Sequence, residues 1–356
     1  LMNQSVRMSP APIPFIDVGA QRRRLGSKID EVVTKVLNHC QFINGPEVTQ
    51  FESDLAAFCG AKYAVGCASG TDALQLVLMA RGIGPGDAVL CPAFTFCATA
   101  EVVALVCATP VFVDVHPDTF NMDADSLKRG IETAKRKGLK PKAVIPVDLF
   151  GLPADWDAIL PIAKAENLFV LDDAAQSFGA TYKGRMLGTL GHATATSFFP
   201  AKPLGCYGDG GACFTNDAGL ADLLRSIRMH GQGTDRYEHA RIGLNSRLDT
   251  IQAAILIEKL KIFPEEIAAR ERIARRYNAL LSQSNRIRVP HVIAGAQSVW
   301  AQYTIQVDDR AKLQSDLKDA GVPTAVYYPI ALGKQRAYAH YPTAPTPVSR
   351  SEEHTS

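Results

Sequence analysis

One lysine of this chain stands on a short, stiff support. In SFFPAKPLGCYGDGG (197–211), Lys202 lies between Pro200 and Pro203, and Gly205 with the glycines of GDGG (208–211) permits sharp turns close behind it. An ordinary surface lysine needs no such restraint, because its side chain snorkels freely. A lysine that forms a Schiff base does need it. Its nitrogen must be fixed within bonding distance of a carbonyl, in surroundings that favour the neutral amine. The aromatic residues that open the segment, Phe198 and Phe199, offer an anchor in the core.

A second reactive type closes an apolar run in LFVLDDAAQSFGA (168–180). A carboxylate at a strand end is costly to bury without a proton or a cation to pair with. Strand alternation sends Asp172 and Asp173 to opposite faces, leaving Asp173 to end the strand in a crevice, with Gln176 a short turn further on. Capping of the following helix or loop by both aspartates is the plainer alternative. In CASGTDALQLVL (67–78) a short strand enters a Ser-Gly-Thr-Asp turn and a helix begins at once. Free N–H groups at that helix start, with the Thr71 hydroxyl nearby, form an anion cradle suited to one phosphate monoester. Helix capping by Ser69 or Thr71 explains the same residues. The G-x-G-x-x-G fingerprint is absent after an early strand, and G-x-x-x-x-G-K-[ST] is absent altogether.

PAFTFCAT (92–99) places Phe94 and Phe96 on either side of Thr95 at a strand exit, where one ring could cover a planar heterocycle or simply fill the core. LNSRLDTIQAA (244–254) puts Asn245, Ser246 and Arg247 just before an apolar helix. Ser246 could cap that helix, and Arg247 could pair with Asp249 or bind a ligand carboxylate. Sheet-end carboxylate, tethered lysine, phosphate cradle and aromatic shelf together describe a pocket for a planar, phosphorylated, aldehyde-bearing cation. Pyridoxal 5'-phosphate is that molecule.

The elements that must position these residues alternate along the chain. Strands are predicted at 63–68, 87–92, 109–115, 142–151 and 168–175, and helices at 70–82, 96–107, 123–138 and 155–167. Continuous apolar strands with helical crossovers argue an α/β fold around a largely parallel sheet, whose ligands gather at the C-terminal strand ends. ATATSFF and GGACFTND read as a local hairpin or an antiparallel edge. Helices are expected at 218–231, 246–263 and 264–282, the last leading to a smaller domain with a strand at 301–309, a helix at 310–321 and a strand at 324–329. The division expected is a large domain over 1–263 and a smaller C-terminal domain over 264–349 that lacks its closing elements. PTAPTPVS (342–349) is too short to act as a linker. The last seven residues, RSEEHTS (350–356), coincide with the translation of a common sequencing-adaptor oligonucleotide, and are expected to be a non-native tail that replaces a real segment.

Bulk properties narrow the partners. The 356 residues carry 38 Lys and Arg against 36 Asp and Glu, a net charge of +2, which gives no electrostatic case for nucleic acid or an anionic membrane. Eight cysteines without CxxC pairs or zinc-like His/Cys spacing read as reduced thiols of a cytoplasmic protein with no metal site. No run reaches the roughly 18 apolar residues of a membrane span.

The sequence resembles the sugar aminotransferases of the DegT/DnrJ/EryC1/StrS family. The resemblance is carried by FIDVGAQ, FINGPEVTQFE, GCASGTDALQL, PAFTFCATAEVV, DDAAQSFGA, TSFFPAKPLGCYGDGGACFTND and NSRLDTIQAAIL, and extends through GVPTAVYYPI. It implies PLP-dependent transferase fold type I (aspartate aminotransferase-like), with a mostly parallel central sheet and a smaller C-terminal α/β domain. It implies that Lys202 carries the cofactor and shuttles the proton, that Asp173 pairs with the pyridine nitrogen, that Gln176 lies beside the ring oxygen or the ring face, and that Phe96 stacks on the ring. Gly70, Thr71 and Ser197 match phosphate contacts. Asn245 matches a cofactor contact delivered from the neighbouring subunit of a homodimer with shared sites, and Arg247 an arginine that meets an acidic sugar in the same way.

The implied reaction is ping-pong: L-glutamate leaves its amine on the cofactor, and a UDP- or dTDP-linked keto sugar takes it. The motifs point most nearly to amination of the 3-keto group of UDP-2-acetamido-2-deoxy-3-oxo-glucuronate. Tyr327 stands where such relatives carry the histidine of an HYP stretch, and with Tyr328 is expected to meet the sugar. A PLP-dependent nucleotide-sugar dehydratase is the alternative, although related dehydratases carry histidine at the position of Lys202. A non-catalytic regulatory binding protein is the other, and Lys202, Asp173 and Gln176 together argue against it.

Overall fold

Seven strands form the central sheet of the computed structural model, which describes residues 13–235 and 237–350. In chain order they are β1 (Tyr63–Cys67), β2 (Asp87–Pro92), β3 (Thr109–Val113), β4 (Lys140–Val144), β5 (Phe169–Asp173), β6 (Ala193–Ser197) and β7 (Gly211–Thr215). Their spatial order is β1-β7-β6-β5-β4-β2-β3. The pairs from β6 through β5, β4 and β2 to β3 are parallel. β7 runs antiparallel to both of its neighbours. The expected hairpin of β6 and β7 is therefore present, but β7 lies inside the sheet and β1 forms that edge.

Alternation along each strand feeds a core on either face. Val65, Val89, Cys91 and Leu171 bury against the helices Gly70–Ala80, Ala98–Leu105 and Ala218–Ile227. Ala88, Leu90, Val111 and Val170 bury the other way, against Ala124–Arg136 and Trp156–Ala165. On the same side, Ala64, Ala212 and Phe214 meet the helix Pro46–Cys59 and the start of a long helix, Thr250–Leu281.

That long helix replaces two expected ones. It runs 32 residues through Pro264, so the domain boundary expected at 263/264 falls inside it. Pro264 is exposed. The backbone hydrogen bond it forfeits is thus lost at a wet surface, where water compensates. Beyond the helix the expected strand 301–309 shrinks to Gln306–Val307, paired with Ile287–Arg288. Residues 324–329 form no strand. Tyr327 and Tyr328 pack instead against the buried cluster of Phe94, Phe120 and Phe150, which claims the apolar surface that a strand would have turned to a second sheet.

Residues 342–349 cover the β3 edge. Phe112 N–H donates to the Pro342 carbonyl at 3.0 Å and Ala344 N–H to that of Phe112 at 2.9 Å. The Asp114 carboxylate then accepts from Val348 N–H at 2.9 Å, Ser349 N–H at 2.8 Å and the Ser349 hydroxyl at 2.6 Å. An exposed parallel edge is a liability, and this segment closes it. Of the expected non-native tail, residues 351–356 lie outside the described residues. Among the described residues no helix is long and apolar enough to cross a membrane, and no cluster of three or more His, Cys, Asp or Glu could hold a metal ion.

Candidate active site

β5 delivers Asp173 to the C-terminal edge of the sheet, and strand alternation turns Asp172 the other way. Asp173 is only 5% exposed. Its Oδ2 accepts from the Thr99 hydroxyl at 2.8 Å and its Oδ1 from Ala175 N–H at 3.2 Å. Burial pushes this carboxyl above the usual range, while the Thr99 and Ala175 donors and the Lys202 charge pull it back toward the anion. No helix follows β5 for either aspartate to cap, but the bond from Ala175 N–H makes Asp173 a cap of the following loop.

The Lys202 segment is fixed from both ends. Phe198 is fully buried, edge-on to Phe51 at 5.4 Å between ring centroids. Phe199, expected to share that anchoring, is 51% exposed. Phe198 N–H donates to the Gly210 carbonyl at 2.7 Å, and Cys206 N–H donates back to the Phe198 carbonyl at 2.8 Å. Lys202 N–H closes the turn on the Phe199 carbonyl at 2.8 Å. A Cβ at position 205 would lie 2.5 Å from the Pro200 carbonyl oxygen, so only glycine lets the loop double back this tightly. Loss of water lowers the affinity of the Lys202 amine for its proton, and the Asp173 charge opposes that effect. The two expected centres of chemistry therefore act on one another electrostatically.

Ser69 caps the helix Gly70–Ala80 by accepting from Asp72 N–H at 3.0 Å. Capping and the anion cradle are thus not exclusive: Ser69 does the first, and Gly70 and Thr71 remain at the helix start. A Cβ on Gly70 would stand 2.5 Å from Ser197 Cβ, so the absence of a side chain brings β6 against this turn and gathers Gly70, Thr71 and Ser197 at one place. The two phenylalanines divide as the alternatives allowed. Phe94 is buried beside Phe120, whereas Phe96 is 53% exposed and keeps an open face.

Tyr328 lies between them, 5.9 Å from the Phe94 ring and 6.5 Å from that of Phe96. Its hydroxyl accepts from the Gln176 amide at 3.0 Å, and the Gln176 carbonyl oxygen accepts from Phe150 N–H at 2.7 Å. Burial holds the phenol well above its usual pKa. Tyr327 meets Tyr328 edge-on at 5.8 Å.

Asn245 and Arg247 are not brought to this group. They line an open cleft with Ser69, Asp72, Asp209, Asp249 and Gln252, which borders the helix start that carries Gly70 and Thr71. Arg247 Nε is buried with no hydrogen-bond partner, and among the described residues Arg247 makes no ion pair with Asp249. Ser246 does not cap the long helix. Its fully buried hydroxyl accepts from Ala68 N–H at 3.3 Å and ties this segment to the Ser69 turn.

Three contributors were not foreseen from sequence. Thr99 lies three residues after Phe96 in a helix start, a spacing that could have marked it. Lys259, in the long helix, is 1% exposed and donates to the Gly205 carbonyl at 2.6 Å, with its ammonium 4.0 Å from the centre of the Tyr207 ring. A lysine within the apolar stretch AAILIEKL was its only signal. Asp148 reaches the back of β5 from the segment after β4, and nothing in its neighbours indicates that.

Comparison with known proteins agrees with this geometry. The model of the DegT/DnrJ/EryC1/StrS aminotransferase family matches residues 23–356. The UDP-2-acetamido-2-deoxy-3-oxo-D-glucuronate aminotransferase of Pseudomonas aeruginosa is 54% identical over 327 residues, 92% of this chain and 89% of that protein. The crystal structure of a DegT/DnrJ/EryC1/StrS aminotransferase from Brucella abortus superposes with a TM-score of 0.94 at 53% identity, covering 96% of this chain and 92% of that one. A Bacillus subtilis protein, NtdA, solved with bound cofactor PMP, superposes with a TM-score of 0.87 at 30% identity over 98% of this chain and 80% of that one. The fold is thus that of the PLP-dependent sugar aminotransferases.

Proposed function

We propose a specific reaction for this chain, which belongs to the DegT/DnrJ/EryC1/StrS aminotransferase family and uses pyridoxal phosphate: it transfers an amino group from L-glutamate to the 3-keto carbon of UDP-2-acetamido-2-deoxy-3-oxo-glucuronate, in the cytoplasm and as a homodimer. The observation that carries the reading is the desolvated Lys202 amine in the field of the buried Asp173 carboxyl, at the C-terminal ends of parallel strands. The 54% identity to an enzyme of that name supports the sugar.

The residues present fit the cofactor. Asp173 keeps two donors on its carboxylate and is placed to pair with a protonated ring nitrogen. The Gly70 position, which a Cβ would fill, leaves helix N–H groups with Thr71 and Ser197 for the phosphate. Phe96 keeps an exposed face for the ring, and Gln176 is held by Phe150 N–H and Tyr328. When bound, the cofactor supplies an electron sink for the carbon that loses or gains the amine. Lys202 holds the aldehyde and moves the proton at the substrate carbon, a task suited to an amine whose pKa burial has lowered. Tyr327 and Tyr328 meet the sugar. Arg247, with no acid paired to it among the described residues, reaches the sugar carboxylate in the second subunit, and Asn245 reaches the cofactor there. A lysine at position 202 is at odds with the dehydratase alternative.

The test is a half-reaction screen. Glutamate should convert the bound cofactor to its amine form, and the UDP-linked 3-keto glucuronate should restore the aldehyde form faster than its analogue without the carboxylate. Equal restoration by both would remove the sugar assignment.

A further inference from the structure

On the opposite side of β5 from Asp173 lies a pair of carboxyl groups that the proposed reaction does not use. Asp172 and Asp148 are both fully buried, and the pairing of Val147 with Asp173 turns them to one face, where each acts on the other at close range. Asp148 Oδ1 accepts from Ala154 N–H at 2.6 Å, and its Oδ2 accepts from the Ser177 hydroxyl at 3.4 Å. Asp172 Oδ2 accepts from the Thr194 hydroxyl at 3.1 Å, whereas Asp172 Oδ1 is buried with no donor at all. The charged groups that act most on the pair are each other and Asp173, and among the described residues neither carboxyl forms an ion pair with a cation. Lys202 acts on Asp173.

Two carboxylates in contact, shielded from water and without a cation, cannot both stay ionised. A proton between them removes the repulsion and gives the orphaned Asp172 oxygen a role as donor. Asp148, which already accepts two other hydrogen bonds, is the better-stabilised anion.

We propose that Asp148 and Asp172 share one proton, carried on Asp172 and donated to Asp148, and that this acid pair is a positioning device for Gln176 and Asp173. Asp148 is the common acceptor for three segments: the turn ending at Ala154, the turn carrying Ser177, and β5 through Asp172. Its own N–H donates to the Asp173 carbonyl at 3.1 Å. Within the first of these turns Phe150 N–H holds Gln176, and Gln176 holds Tyr328. The proton also keeps the pair at one negative charge beside Asp173, whose anionic form the ring nitrogen requires; that part rests on the proposed function. Burial supports the assignment by pushing both groups up, Asp148 to about 7 and Asp172 well above the usual carboxylate range.

The test uses the full chain and three variants. Infrared spectra at neutral pH should contain the carbonyl band of a protonated carboxylic acid, which Asp172→Asn removes and Asp173→Asn leaves in place. Asp172→Asn offers Asp148 a permanent amide donor, whereas Asp172→Leu offers none. The Leu variant should therefore lose about ten-fold or more in kcat for amine transfer, the scale of one displaced hydrogen bond, and the Asn variant should recover most of it. If Asp172→Leu does not fold, the infrared band still decides. No such band in the folded wild-type protein, a band that survives Asp172→Asn, or equal rates for the two variants would overturn the proposal. The infrared result does not depend on cofactor or sugar, so its failure is separable from failure of the proposed function.

Discussion

Gln176 and Tyr328 stand 152 residues apart in the chain and 3.0 Å apart in space, the glutamine amide donating to the tyrosine hydroxyl. The bond locks a side chain from the turn after β5 to one from the C-terminal part of the chain, and the same glutamine is held from behind by Phe150 N–H. The floor of the candidate site and the side proposed to meet the sugar are thereby one network. Removing the acceptor should be felt on both.

Tyr328→Phe leaves the Gln176 amide unpaired in a partly buried site, a loss of about 1–3 kcal/mol. Steady-state kinetics should show KM for the keto sugar rising more than kcat falls. A variant with unchanged KM for the sugar would remove Tyr328 from the sugar side.

Asp173→Asn keeps the shape of the side chain and removes its charge. Cofactor binding, measured by equilibrium dialysis, should persist in part, while kcat for amine transfer falls by roughly a hundred-fold or more, the scale of losing one preorganised electrostatic group. Turnover equal to wild type would refute the pairing with the ring nitrogen.

Gly70→Ala drives a Cβ to 2.5 Å from Ser197 Cβ. The expected cost is about 1–3 kcal/mol of overpacking, with weaker cofactor binding besides. Adding Ser197→Gly should return the stability without returning the affinity, since the hydroxyl proposed for the phosphate is then gone. Recovery of both by the double variant would count against Ser197 as a phosphate contact.

Lys259 gives a pH prediction with a definite sign. Burial lowers its pKa to about 8, whereas in the unfolded chain it titrates near the ordinary value of about 10.4. Between those values the unfolded chain binds the extra proton, so folding stability gains with rising pH across that window, and the handicap is fully present below about pH 8. Urea midpoints of the wild type relative to Lys259→Met should rise from about pH 8 to about 10.4. A flat difference would mean that this ammonium is not desolvated against Gly205 and Tyr207.

Local chemistry made much of this legible in the sequence. Strand alternation places Asp173 and Asp172 on opposite sides of β5, and the need for glycine at 205 follows from a loop that must double back on Pro200. The αβ alternation yields the parallel sheet directly. What could not be read depends on distant partners. Thr99 and Asp148 reach the front and back of β5 from two other segments, and the bond of Tyr328, a residue named only through the resemblance, to Gln176 comes from a third. Residues 342–349 carry no strand pattern, yet they close the β3 edge because Asp114 there accepts three hydrogen bonds. Pro264 reads as a helix boundary, and only its exposed setting lets the helix continue.

The Lys202 amine is proposed to carry the cofactor opposite Asp173. Borohydride reduction of the cofactor-loaded protein, followed by peptide mass mapping, tests it most directly. The account predicts loss of the visible absorbance band and a single cofactor-derived mass on the peptide containing Lys202, absent from Lys202→Ala. A label on another lysine, or none in a folded protein that binds the cofactor, would contradict it.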